Sequence, residues 1–98
     1  MLERAFQKQV IKWLKSKGAV VYNIHGHAMQ QRGIPDLYVA HWRWQGWLEL
    51  KTGNNKLSTL QEIEIGKLQS RNVNALVLYP EDFQNFQKLL EHYTPSEN

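Results

Sequence analysis

Gly33-Ile34-Pro35-Asp36-Leu37-Tyr38-Val39-Ala40-His41-Trp42-Arg43-Trp44-Gln45-Gly46-Trp47-Leu48-Glu49-Leu50-Lys51 is the stretch that decides the fold. Residues 37–43 and 47–52 are rich in β-branched and aromatic side chains and read as two antiparallel strands of one hairpin. Gly33 and Pro35 break the chain just ahead of the first. Alternation places Glu49 and Lys51 on one face of the second strand, and Leu48 and Leu50 on the other. An acid and a base therefore stand side by side, locked by neighbours that face the core. A tight turn at Gln45-Gly46 would pair Asp36 with Asn55 and leave Glu49 six residues away, roughly 20 Å. For Asp36 to meet Glu49 the chain must reverse near residues 42–44 or bulge there, so an irregular or wide turn over 42–46 is expected.

Outward from the hairpin, residues 3–16 read as a helix with the apolar arc Leu2, Phe6, Val10, Trp13 and Leu14, ended by Gly18. Residues 19–24 read as a strand and 25–35 as a loop. On the other side Ser58 caps a helix running to about residue 71, and Gln61, three residues later, has the place of a capping-box partner. Residues 74–79 form a further strand. After Pro80 comes a helix carrying Phe83, Phe86, Leu90 and Tyr93. The order αβββαβα is that of an α/β domain, a mixed four-stranded sheet with helices packed on it. It occupies residues 1–93, and the polar tail 94–98 follows.

Composition narrows the function. Ninety-eight residues bury one core and no second one. With no Cys, disulfide frameworks, thiolate zinc sites and a Cys nucleophile are excluded. The longest unbroken apolar run, residues 75–79, is far too short to span a bilayer, and the N-terminus lacks a signal peptide's apolar stretch. A soluble intracellular protein is the expectation. Twelve Lys and Arg against nine Asp and Glu give a net charge of +3. Arg4, Lys8, Lys12 and Lys15 fall on one narrow stripe of the first helix, either a solvated face or one that contacts phosphates. His25 and His27, with His41 and His92, lack a convincing third zinc ligand by spacing.

If Asp36 meets Glu49 across the hairpin, two carboxylates share a site and repel. A hard divalent cation resolves that repulsion, and Mg²⁺ prefers one or two carboxylates with water and phosphate oxygens around them. The Leu50 carbonyl between the two strand residues offers another oxygen. Lys51 is then placed to activate or orient a water for attack on phosphorus. Gly33-Ile34-Pro35-Asp36-Leu37, Glu49-Leu50-Lys51, the leading Glu3, and Leu57-Ser58-Thr59-Leu60-Gln61 together resemble the PD-(D/E)XK nuclease superfamily. Within it, residues 1 to about 80 look like the small stand-alone VRR-NUC domains of phages and bacteria.

The resemblance implies a restriction-endonuclease-like αβββαβ core with a C-terminal helix added. It implies Asp36 and Glu49 as metal ligands, with Leu50 supplying its carbonyl, and Lys51 as the catalytic lysine. It also implies Glu3 and Gln61 at the rim of the site. Glu3 falls between Val10 and Leu14 in helical angle, on the apolar side, although a first-turn acid also suits the helix dipole. Gln61 lies between Leu68 and Ile65, again on the buried side, although the capping box alone accounts for it. The implied activity is that of a Mg²⁺- or Mn²⁺-dependent DNA endonuclease in the cytoplasm of a bacterium or phage-infected cell. No separate DNA-reading module is visible, and the likeness extends to Holliday junction resolvases, so branched DNA leads over linear duplex as substrate. The alternative is a non-catalytic nucleic-acid-binding module on a nuclease-like scaffold. Four Trp, four Tyr and three Phe exceed what a small core absorbs. With Tyr38, Ala40, Trp42 and Trp44 placed on the face of Asp36, and Trp47 beside Glu49, a homodimer is expected. Cover by the third helix is the other way to bury these rings.

Overall fold

The computed structural model describes residues 1–24 and 32–91. Along them run α1 (Glu3–Ser16), β1 (Val20–Asn23), β2 (Leu37–Ala40), β3 (Gln45–Leu50), α2 (Thr59–Ser70) and β4 (Ala75–Leu78). A 3-10 turn at Pro80–Asp82 then leads into α3 (Phe83–Gln87). The strands make a four-stranded sheet in the order β1-β2-β3-β4, with β1–β2 and β2–β3 antiparallel and β4 parallel to β3. This is the mixed sheet and element order expected from the sequence. Among the described residues no helix is long and apolar enough to cross a membrane.

Phe6, Val10 and Leu14 are fully buried along one side of α1, against Leu37, Val39, Leu48 and Leu50 of the sheet. Each such side chain contributes about 1.5–3 kcal/mol of hydrophobic stabilisation. Leu2, expected in that arc, instead precedes the helix in an extended conformation and is exposed. Gly18 ends α1 at φ 85°, where its N–H bonds the Lys15 carbonyl and the next N–H, of Ala19, returns to Leu14. Those paired returns need a left-handed residue, which glycine adopts without a Cβ penalty.

The hairpin reverses where Asp36 requires it, though by a different device from the expected wide turn. His41 and Trp44 exchange N–H···O bonds of 3.0 and 3.2 Å around a two-residue turn at Trp42-Arg43. The buried His41 ring fastens this turn to α1. Its Nδ1 accepts from the Arg43 N–H at 3.0 Å, which leaves Nε2 to donate to the Lys17 carbonyl at 3.1 Å. The early reversal also corrects the side assigned to Trp44. It belongs to the β3 arm, so it shares the parity of Leu48 and Leu50 and lies in the core, edge-on to Phe86 with ring centroids 5.2 Å apart. α3 covers this tryptophan within the chain.

α3 is shorter than the expected helix. It stops at Gln87, with Phe83, Phe86 and the following Leu90 buried on the α1 side of the sheet. Tyr93 and the tail 94–98 lie outside the described residues. α2 lies on the opposite face and buries Ile65. Its first turn receives the loop that delivers Asp36. Gly33, at φ 87°, comes so close to the Leu60 carbonyl that a Cβ would stand 2.7 Å from its oxygen. The approach therefore admits only glycine.

Candidate active site

The β2–β3 register pairs Leu37 with Leu48, so the next pair outward is Asp36 opposite Glu49. Asp36 is fixed there by a buried bond of 2.8 Å, in which the Leu50 N–H donates to its Oδ2. In an extended strand the N–H and C=O of one residue face the same neighbour, so the Leu50 carbonyl also turns toward the Asp36 side. Glu49 is 2% exposed although its face lies opposite the leucine core. Its Oε2 accepts from Gln61 Nε2 at 3.1 Å and stands 3.7 Å from the Lys51 ammonium. Among the described residues no donor reaches its Oε1. An unmatched buried carboxylate oxygen is costly.

Gln61 does two jobs at once. Its N–H donates to Ser58 Oγ at 3.1 Å and its Oε1 accepts from the Ser58 N–H at 2.9 Å, which completes the capping box. The amide nitrogen left over is the group that donates to Glu49. Glu3 is half-buried at the start of α1, near enough for its charge to act on Glu49. Asp36, Glu49, Lys51, Gln61 and Glu3 are thus brought together. Arg4, Lys8, Lys12 and Lys15 are exposed on the outer side of α1, across the sheet from Glu49. His41 is spent on backbone bonds at the hairpin turn. His25, His27 and His92 lie outside the described residues.

One cross-strand neighbour of the site lies outside the residues the sequence singles out. Lys51 donates its N–H to Leu78 O at 3.1 Å, and the Leu50–Leu78 pairing puts Tyr79 beside Lys51 on the same face. Lys56 stands exposed in the loop that follows. The signal that exposes Tyr79 is the register of β4, which no local motif carries.

Burial, followed by the charge of Asp36, pushes the Glu49 carboxyl up from its ordinary 4.5 to about 8, with Lys51 opposing and Glu3 adding to the rise. A folded-state value raised in this way gives stability that is complete below the unfolded value and is lost as pH rises through the folded one. Chelator-treated protein should therefore become less stable between pH 4.5 and about 8 and then level off. Urea midpoints across this range measure it, with an unchanged m-value as the control. Glu49→Gln should flatten the profile, and an equal slope in that variant would assign the titration elsewhere.

No family model and no curated protein matches the chain. Among solved structures it is similar to one described as a VRR_NUC domain, at 28% identity and a TM-score of 0.73, covering 94% of this chain and 97% of that one. The likeness takes in nearly all of both chains at an identity beyond that of a shared fold alone. It bears out the resemblance drawn from the sequence, that of a mixed α/β sheet of the restriction-endonuclease-like kind in the form found in VRR-NUC nucleases.

Proposed function

We propose that the protein is a divalent-metal-dependent DNA endonuclease that hydrolyses phosphodiester bonds in branched DNA, four-way junctions above all. The nuclease class is supported by the similarity to a VRR-NUC domain. The observation that carries the metal dependence is the buried Glu49 carboxylate, one oxygen unmatched, beside Asp36 and Lys51. These residues fit a hard cation: two repelling carboxylates and a backbone carbonyl, with no cluster of three His, Asp or Glu among the described residues. Such a partial cage suits Mg²⁺ or Mn²⁺, which fill remaining positions with water and phosphate oxygen. Asp36, Glu49 and the Leu50 carbonyl would hold it.

When bound, the cation supplies Lewis acidity toward the phosphoryl oxygens. Lys51 brings an ammonium with three donors to the same face, to orient the attacking water and offset charge on the phosphate. Gln61 holds Glu49 Oε2, and Oε1 is the oxygen that would be free to bind the cation. Glu3 adds a carboxylate at the rim that can position water. The basic stripe of α1 lies across the sheet from the carboxylates, so it is assigned to a DNA arm leaving the site and not to the scissile strand. The place of action that follows is the cytoplasm of a bacterium or phage-infected cell.

A second copy completes the proposal. With Trp44 in the core, one uncovered apolar surface among the described residues is that of Val20, Tyr22 and Trp42, exposed beside Tyr38 and Ala40. Tyr22, Tyr38 and Trp47 form one register row across β1, β2 and β3, with the Tyr38 and Trp47 rings 5.1 Å apart. Two-fold pairing on this surface would present two sites to the two related strands of a junction.

Asp36→Asn and Glu49→Gln should each lower the cutting of a labelled four-way junction by at least ~10³-fold in Mg²⁺ or Mn²⁺, with DNA binding kept or tightened. Chelation by EDTA should abolish cutting. Lys51→Ala should be as impaired in cutting and still bind metal by calorimetry. Binding without metal-dependent cutting by folded wild-type protein would leave a non-catalytic binding module. For the stripe, Lys8→Ala with Lys12→Ala should reduce the salt slope of log K by roughly 1.8, two contacts at about 0.9 each. An unchanged slope makes it a solvated face. For the dimer, sedimentation equilibrium should give twice 11.6 kDa at micromolar concentration. The monomer mass at every concentration, with normal cutting, removes it.

A further inference from the structure

Beyond Lys51 the site face continues into a cleft. The loop from Gly53 to Lys56 on one side and the Pro80–Asp82 turn on the other border an open cleft of about 580 Å³. Tyr79, the cross-strand neighbour of Lys51 on the same face, lines it. Its hydroxyl donates to the Asn55 carbonyl at 2.6 Å, tying the ring to the loop, and the loop is folded by an Asn55 N–H bond to Thr52 O. The side chains of Asn54, Asn55, Lys56 and Glu81 line the same space and make no hydrogen bond among the described residues. The cleft thus joins an aromatic ring, amides able to donate and accept, an acceptor-only carboxylate and an ammonium, one strand spacing from Lys51.

We propose that this cleft holds one unpaired nucleotide of the DNA substrate, immediately beside the scissile phosphate. The inference rests on the nuclease reading above and extends it to a position of base preference. Neighbouring strands lie about 4.8 Å apart, less than the length of one nucleotide, so a phosphate at Lys51 brings the adjoining base to Tyr79. A base paired within a duplex stack cannot enter a concave space; one unpaired at a branch point enters at little cost. Tyr79 offers its ring for stacking, as aromatic platforms do for single strands. Lys56 faces the outgoing phosphate. Glu81, with Asp82 beside it, accepts hydrogen bonds and donates none, so it favours cytosine, whose exocyclic amino group carries two donors, over thymine, whose one N3–H lies between two carbonyl oxygens.

Two measurements test this. Four-way junctions carrying one unpaired nucleotide next to the cut should be cleaved about tenfold faster with cytosine than with thymine there, and slowest with an abasic site. The Asn54→Ala, Glu81→Gln double variant should cut the cytosine and thymine junctions at equal rates. Independently of cutting, NMR titration of the wild-type protein with the dinucleotides d(CC) and d(TT) should shift the amides of Asn54, Asn55, Lys56 and Tyr79. The response to d(CC) should be the tighter. Cutting with no base preference, or with the same preference in the double variant, overturns the cleft assignment while the nuclease reading stands. Dinucleotide shifts at these amides without any metal-dependent cutting support the cleft and remove the nuclease reading. Shifts scattered away from these residues overturn the cleft whatever the activity.

Discussion

The bond from the Leu50 N–H to the Asp36 carboxylate, 2.8 Å and buried, is the constraint from which the site follows. It exists only in one hairpin register, the one in which Leu37 meets Leu48 and the chain turns over Trp42-Arg43. A slip of one residue would put Leu48 and Leu50 on the face of Glu49 and carry Glu49 into the leucine core. The hydrophobic demand of the α1 side and the positions of the two carboxylates are therefore one specification. Deep, fully buried leucines on either side of Glu49 hold an acid rigidly in a place where an isolated acid would be unfavourable.

Gln61 is where helix formation and site chemistry coincide. Its backbone N–H and its amide oxygen satisfy the start of α2, and its amide nitrogen is left for Glu49. The first turn of α2 is thereby tied to β3 through one side chain, and Gly33 lets the Asp36 loop pack against that same turn. Three segments far apart in sequence are fixed by short-range bonds whose donors are all backbone or amide N–H groups. None of these donors changes charge near neutral pH, so the donor side of the frame stays constant while Glu49 titrates within it.

Much of this arrangement is written locally, and some is not. The 3.6-residue spacing of Phe6, Val10 and Leu14 and the Ser58–Gln61 signature are local, and the helices they announce form as read. Asp36, Glu49 and Lys51 are legible because strand alternation and motif spacing agree. The parity of Trp44 was misread because it depends on where the chain reverses, and that is set by His41 gripping both Arg43 and the end of α1, a contact with Lys17 24 residues away in sequence. Tyr79 was missed because its place beside Lys51 depends on parallel pairing with β4, which the intervening α2 sets. The expected helix is also shortened because after Gln87 the bonding tightens to three-residue turns, Lys88 to Asn85, Leu89 to Phe86 and Leu90 to Gln87, on the way to the buried Leu90.

The two faces of the sheet divide the electrostatics. The outer side of α1 holds Arg4, Lys8, Lys12 and Lys15, whereas the face with the site holds Asp36 and Glu49 against Lys51, with Glu3 at the start of α1 close enough for its charge to act on Glu49. A net charge of +3 therefore says little about the place where a phosphate must sit. In the reading proposed above, a bare site repels the phosphate it is built to receive, because its acids outnumber its ammonium. Proton uptake by the raised Glu49 is one relief of that repulsion and a divalent cation is the other. Only the second leaves both carboxylates ionised with a compensating charge between them and the phosphate. Cation and DNA then favour one another at this face, so the same acids that weaken binding to the empty site become the reason for selective engagement once it is loaded.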